Sequence, residues 1–388
     1  MADRAAAASF AENAAGERDE GSSEEISLTD ALASGAPILD VRSPAEFAGD
    51  RIPGARSVPL FDDRERAVVG TIFRQLGAGE ARRFGSERVE ARLEEFVAAL
   101  RQEFAPREEG PLEAVICCAR GGERSGAVTQ LLRQRGFAVR RLTGGYRAFR
   151  SVVRERLGTV RVPRPILLDG LTGCGKTAVL RAIAAVRPHQ VLDLEGLAEH
   201  RSSLLGAVGL EPVSQKRFES RLLAAADRLT GPWTLIEAES RRVGDREIPP
   251  SLFAAMRAAP RITLTATLPQ RIDHLSDVYL GGASADSPAG QAALAEISHC
   301  LEGLGAYPQV GAEGVRRWRT CLERGEIDEV VRELLEVHYD PRYRHGASES
   351  ATPEWSWGAF LEKRDETVRG WIEELDRIAE SSAPPDGD

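Results

Sequence analysis

The stretch PILLDGLTGCGKT, residues 165–177, joins a β-type apolar run to a loop with three glycines and ends on Lys176 and Thr177, where a helical pattern begins. Gly170, Gly175, Lys176 and Thr177 complete the spacing GxxxxGKT, with Thr172, Gly173 and Cys174 inside the loop. In that spacing the glycines let main-chain N–H groups wrap phosphate oxygens, the lysine supplies a point charge, and the threonine hydroxyl can ligate Mg²⁺. A strand before the motif and a helix after it place the loop in a parallel α/β sheet holding a di- or triphosphate. The motif leaves open which one, and whether it is hydrolysed.

Working outward, the same alternation recurs on both sides. VLDL (191–194), WTLIEA (233–238) and RITLTA (261–266) read as further strands, each followed by a helical pattern. Upstream, ILDV (38–41) reads as a buried strand, with Ser43 and Pro44 as N-cap and first helical residue of SPAEF. SERVEARLEEFVAALRQEF (86–104) has helical spacing, and AVICC (114–118) is a short β-type run. Alternating strands and helices imply parallel sheets covered by helices. Expected boundaries are a disordered acidic tail (1–25), an α/β domain (26–152), a basic linker (153–164), a P-loop α/β domain (165–286), a helical region (287–345) and an acidic helical tail (346–388). Beyond 287 the pattern reads as entirely helical.

The 388 residues suffice for two or three domains with cores of their own. Five cysteines and no apolar signal segment point to a reduced, cytoplasmic protein. No apolar run approaches the roughly 20 residues that span a bilayer, so no membrane role is expected. The net charge of −9 is uneven, because the first 30 residues carry eight acids against two arginines and residues 349–388 carry eleven against four bases. Arg133 to Arg164 contains ten arginines and a single acid, Glu155. That run is either a solvated helix face or a phosphate-backbone surface, with Arg154 and Arg156 as candidate contacts.

VICCARGGERSG, residues 115–126, carries a second chemistry. With Cys118 at the end of a parallel strand and Ser125 opening the next helix, Gly121, Gly122 and Gly126 free the intervening N–H groups to form an anion nest. Arg120 and Arg124 add positive potential, so the thiol shifts toward thiolate and becomes a nucleophile. Cys117, pointing to the opposite strand face, reads as core. Near the phosphate loop, TLIEAES offers Glu237 and Glu239 on one strand face, either of which can serve a metal beside Thr177. Glu239 is the expected Mg²⁺ partner. DLEGLAEHR adds Asp193, Glu195, His200 and Arg201 at a strand-to-helix junction.

LDVRSPAEFAGDRIPGARSVPL (39–60), the strand ending in Cys118 and LTGGYRAF (142–149) resemble, in that order, a rhodanese domain, whose cysteine takes up sulfur or selenium as a persulfide or selenylsulfide. Cys118 to Arg124 is CxxxxxR, one member longer than the simplest rhodanese loops and the spacing of the rhodanese-like phosphatases, large enough for a phosphate-sized group. Together with the P-loop, the segments RERAVVGTIFRQLG with Gly85 following, CCARGGERS, GLTGCGKT, DLEGLAEHR, IEAESRRVG and LLEVHYDPRY resemble the tRNA 2-selenouridine synthase family. Cys174 belongs to that pattern. Ser202 stands where Gly is expected after the HR pair, and Ala238 where Asp is expected between the glutamates.

The resemblance implies a rhodanese-like α/β domain followed by a P-loop NTPase-like parallel α/β domain with a helical C-terminal region. It implies a transferase that alkylates 2-thiouridine at the wobble position of the tRNA anticodon loop with geranyl diphosphate, then exchanges the S-geranyl group for selenium from selenophosphate, with a selenophosphate-supplying enzyme as partner. Gly85, Asp193, Glu195, His200, Arg201, Glu237, Glu239 and Arg241 are then candidate diphosphate or tRNA contacts. Two other readings stay open: a CxxxxxR phosphatase with Glu123 as general acid, and a nucleotide-regulated persulfide carrier.

Overall fold

The structure, a computed structural model, describes residues 24–103, 113–306, 310–343 and 353–381. Nearly all of the expected N-terminal acidic tail lies outside these residues. The chain divides into two compact units, one reaching Thr159 and including Glu219–Asp227, the other made of Val160–Phe218 and everything from Arg228 on.

The first unit is built on five parallel strands, β1 (Glu25–Ile26), β2 (Ile38–Asp40), β3 (Arg56–Ser57), β4 (Glu113–Cys117) and β5 (Ala138–Leu142), in the order β1-β5-β4-β2-β3. β4 lies centrally, and its Ala114 to Cys117 are all buried, as a strand covered on both faces requires. Ser43 and Pro44 start the helix Pro44–Gly49 as the sequence predicts, Ser43 N–H donating to Glu46 Oε2 at 3.2 Å. The long helix expected over 86–104 is instead two, Ala78–Ala91 and Leu93–Glu103, because Arg92 leaves helical geometry at φ −105°. Its guanidinium donates to the carbonyls of Pro59 and Leu60, which fixes the break.

A buried polar network ties this unit together. Arg42 forks onto Asp40 at 2.6 to 3.0 Å, donates to the Asp50 carbonyl, and stacks 3.9 Å over the Tyr146 ring. Tyr146 and Ser220 both donate to Asp50 Oδ2, at 2.8 and 2.9 Å, and Arg150 pairs with Glu219. The aspartate and arginine of LDVRS and the tyrosine of TGGYRAF therefore serve architecture.

The second unit has five parallel strands, β6 (Pro165–Asp169), β7 (Val191–Leu192), β8 (Thr234–Glu237), β11 (Arg261–Thr265) and β12 (Glu354–Ser356), in the order β12-β11-β6-β8-β7. A separate antiparallel pair, β9 (Arg242–Val243) and β10 (Arg246–Glu247), follows β8. β6 sits in the middle with its neighbours leaving in opposite directions, the topology that opens a crevice beyond the strand's carboxyl end. A second core joins the helix Leu268–Leu280 to the helices between Pro288 and Tyr343.

Among the described residues beyond 287 the chain is helical with one exception, and that exception corrects the all-helical expectation. Glu354–Ser356 pairs with β11 as a fifth strand, too short and too isolated for its alternation of exposed, buried and exposed residues to read as β. Nor are residues 353–381 a free tail. Trp355 stacks on Trp371 at 4.5 Å, Phe360 stacks on Trp371 at 5.8 Å, and all belong to the core around β6. Two of the acids have structural work: Glu374 accepts from Trp355 Nε1 and Asp376 from Trp233 Nε1, each at 2.7 Å. Replacing Trp371 with Ala empties the centre of this stack and should cost about 3–5 kcal/mol in chemical denaturation of the full chain; a loss under about 1 kcal/mol would mean the segment is peripheral.

Candidate functional sites

In the first unit, β4 ends at Cys117 and the helix Glu123–Gln134 starts two residues before Ser125, so Cys118 to Gly122 form the turn between them. Cys118 Sγ lies 3.1 Å from Ser125 Oγ, and the Arg120 and Ser125 N–H groups also face the sulfur. Burial alone would push the thiol up; the Ser125 hydroxyl, those N–H groups and the Arg124 charge outweigh it and hold Cys118 below the ordinary cysteine value. Cys118 is 3% exposed, so the sulfur is withdrawn from solvent while Arg120 stands exposed. Cys117 is fully buried, and burial pushes its thiol well up, as expected for core.

The loop's shape depends on LTGGYRAF packing against it. Tyr146 and Arg147 N–H donate to the carbonyls of Cys118 and Ala119 at 2.9 and 3.0 Å. A Cβ on Gly145 would stand 2.2 Å from the Cys118 carbonyl oxygen, and one on Gly121, at φ +65°, 2.4 Å from the Leu142 carbonyl oxygen. No side chain fits either place. Arg124 is held outward, its guanidinium on Glu46 at 2.7 and 3.3 Å. The N–H groups of Gly121, Gly122, Glu123 and Arg124 donate to no described residue.

In the second unit, Gly170 to Gly175 link β6 to the helix Lys176–Val186. A Cβ on Gly175, at φ +89°, would stand 2.4 Å from the Trp357 ring, so the C-terminal segment is wedged against the phosphate loop. Lys176 Nζ lies over the loop, donating to the Gly170 carbonyl at 2.7 Å. Arg271, 3% exposed, donates from Nε to the Thr172 carbonyl at 2.8 Å and forks onto Asp340 at 2.6 and 3.0 Å, which explains the aspartate in LLEVHYDPRY. Cys174 faces the core, where burial pushes its thiol up; only its main chain belongs to the loop.

A cavity of about 670 Å³ opens on this loop. Thr172, Gly173, Gly175, Lys176 and Thr177 line one side, and Glu195, Glu237 and Glu239 stand beside them. Thr177 Oγ1 lies 2.7 Å from Glu237 Oε1 and 3.1 Å from Glu195 Oε2, and the three glutamates bring carboxylate oxygens within 4.8 Å of one another. Burial first, then mutual repulsion, pushes all three well above the carboxylate range. Glu237 is 1% exposed and its Oε2 meets no hydrogen-bond donor, an arrangement a divalent cation would satisfy.

His200 and Arg201 line another wall. The His200 ring is slotted between Gly206 and Gly244, where a Cβ would come within 2.6 and 2.7 Å of it, and burial, with the Arg246 charge, lowers its pKa. Ser202 adopts φ +46°, the conformation for which glycine is the natural choice, so the loop keeps its shape despite the serine. Leu210, Leu275 and Val278 supply an apolar side, together with His274, which the sequence reading passed over.

Several candidates lie elsewhere. Asp193 caps the helix Leu194–Ala198 through the Gly196 N–H and is not in the cavity wall. Arg241 is exposed, 3.8 Å from Glu247. Gly85 is inside the helix Ala78–Ala91 with Phe61 at an ordinary packing distance of 3.7 Å from its would-be Cβ. Arg156 pairs with Asp227, so a substitution there breaks an internal contact. Arg154 is exposed and has no partner among the described residues.

Replacing Ser125 with Ala removes a hydroxyl that favours the thiolate. The pH midpoint of Cys118 alkylation by iodoacetamide should rise and the rate at pH 7 fall several-fold; an unchanged midpoint would assign the activation to the main-chain N–H groups and Arg124.

Residues 163–376 match the family model described as the tRNA 2-selenouridine synthase AAA domain, and residues 26–151 match that of the rhodanese-like domain. The tRNA 2-selenouridine synthase of Chromohalobacter salexigens is 36% identical over 244 residues, 63% of this chain and 65% of the relative, just under two thirds of its length. That of Cronobacter sakazakii is 32% identical over 352 residues, 83% of this chain and 90% of the relative. That of Cupriavidus necator is 33% identical over 330 residues, 80% and 88%. With both domain models matched in order and relatives aligned over most of their length, this chain belongs to the tRNA 2-selenouridine synthase family.

Proposed function

We propose that this chain modifies the wobble uridine of tRNA in two steps, S-geranylation of 2-thiouridine with geranyl diphosphate, then replacement of the S-geranyl group by selenium from selenophosphate. The observation that carries this reading is the composition of the second unit's cavity: a phosphate cradle with a carboxylate group at one side, and the apolar surface of Leu210, Leu275 and Val278 at another. A diphosphate with a hydrocarbon chain suits both walls, whereas the apolar side gives a nucleotide no hydrogen-bond partner.

In the first step the thiocarbonyl sulfur attacks C1 of the geranyl group, the C–O bond breaks, pyrophosphate departs, and the base loses its N3 proton. Lys176 and the loop N–H groups stabilise the negative charge that develops on the departing pyrophosphate. Mg²⁺, held by Thr177 with Glu237 and Glu239, would add charge neutralisation at the leaving group. Alkylation turns a poor leaving group into a thiol, so selenium can displace it at C2 in the second step. That step belongs to Cys118.

Measured separately, the two half-reactions should divide cleanly. Lys176→Ala should lose transfer of labelled geranyl to tRNA by at least a hundredfold, the scale of removing a preorganised charge from a leaving group. Cys118→Ala should spare geranylation and lose selenium incorporation; loss of geranylation in Cys118→Ala would overturn the assignment. Mn²⁺ titration followed by electron paramagnetic resonance should find a site weakened at least tenfold in Glu237→Gln, and equal affinity in wild type and variant would remove the carboxylates from the metal.

Arg147 and Arg154 lie seven residues apart on the helix Gly145–Gly158, so they share a face; both are exposed, and neither guanidinium pairs with a described residue. Of the two candidate contacts in the arginine run, Arg154 keeps an unpaired guanidinium among the described residues, and Arg147 adds a second charge on its face. Reversing both to Glu should weaken tRNA binding and reduce the slope of log affinity against log salt by roughly two, and unchanged binding would exclude this face.

A further inference from the structure

Selenophosphate holds its selenium at the oxidation level of selenide, bonded to phosphorus(V). Moving that selenium onto a cysteine sulfur as an S–Se bond requires either an oxidant or expulsion of phosphorus(III), and nothing in the proposed reaction supplies or disposes of either. Transfer of the phosphoryl group has no such difficulty.

We propose that Cys118 accepts the phosphoryl group of selenophosphate, forming a phosphocysteine and releasing selenide beside the alkylated base. The inference rests on the functional reading above and assigns the chemistry of its second step. The Cys118 sulfur attacks phosphorus, the S–P bond forms as the P–Se bond breaks, and selenium leaves with the bonding pair as hydrogen selenide anion. That anion adds at C2 of the S-geranyl base and expels geranylthiolate. Water then cleaves the S–P bond, returning orthophosphate and the Cys118 thiolate. No atom changes oxidation state in any of these steps.

Three features of the site fit a phosphoryl group better than a lone chalcogen atom. The loop from Cys118 to Arg124 has seven members, the spacing in which it resembles the rhodanese-like phosphatases. The N–H groups of Gly121, Gly122, Glu123 and Arg124 donate to no described residue, so four loop donors are available to phosphoryl oxygens. Ser125 Oγ, 3.1 Å from the sulfur, is placed to hydrogen-bond the thiolate when phosphocysteine is cleaved. The phosphatase-like spacing of the loop is thereby accounted for within the same enzyme.

The test uses full-length protein and two preparations of selenophosphate, one labelled with ³²P and one with ⁷⁵Se, quenched in denaturant within the first turnover and mapped by peptide. The expected result is ³²P on the Cys118 peptide at up to one equivalent per chain, no ⁷⁵Se there, and neither label in Cys118→Ala. Finding ⁷⁵Se on Cys118 without ³²P, or neither label on the wild-type peptide, would overturn the inference. These labels are read without tRNA, whereas failure of the functional reading appears separately, as tRNA left unmodified by the wild-type chain.

Discussion

Both candidate loops are held by close approaches to glycine that leave no room for a side chain. A Cβ on Gly145 would meet the Cys118 carbonyl oxygen at 2.2 Å, one on Gly170 the Leu264 carbonyl oxygen at 2.4 Å, and one on Gly175 the Trp357 ring at 2.4 Å. In each case the loop is pressed into shape by a distant segment: TGGYRAF on the cysteine loop, β11 and the C-terminal Trp357 on the phosphate loop. Glycine makes the approach possible, and packing elsewhere in the unit makes it rigid. The donors of each loop are then aimed before any ligand arrives, which is where electrostatic stabilisation of a leaving group has most effect.

Charge is divided between structure and chemistry in the same way. Most of the arginine run is spent internally: Arg150 with Asp50 and Glu219, Arg156 with Asp227, Arg141 with Glu25, Arg164 on the Ala379 carbonyl. Arg271 joins the phosphate loop to the helical region through Asp340. In the cavity, burial and mutual repulsion raise Glu195, Glu237 and Glu239 around Thr177 and leave Glu237 Oε2 without a donor. Such a cluster disfavours a bare diphosphate and favours one accompanied by a cation.

Motifs whose chemistry demands a fixed local spacing were legible in the sequence. GxxxxGKT and the cysteine loop both fall between a strand and a helix, and the family resemblance agrees with the matched domain models. Residues brought together by long-range packing were not. Arg271 and His274 sit in an ordinary amphipathic helix pattern, and only the fold places one under the phosphate loop and the other on the cavity wall. The strand Glu354–Ser356 is three residues long, below what alternation can identify, and its role depends on β11 lying beside it. Contacts made by single side chains were equally invisible in the sequence: Arg156 pairs with Asp227, Asp193 caps the helix Leu194–Ala198, and Arg241 lies 3.8 Å from Glu247.

Mass spectrometry of nucleosides from 2-thiouridine tRNA, incubated with the purified chain and geranyl diphosphate and then with selenophosphate, measures the proposed sequence of steps directly. The S-geranyl nucleoside should appear in the first stage and give way to 2-selenouridine in the second. Unchanged 2-thiouridine through both stages, or 2-selenouridine formed at full rate with geranyl diphosphate omitted, would contradict it.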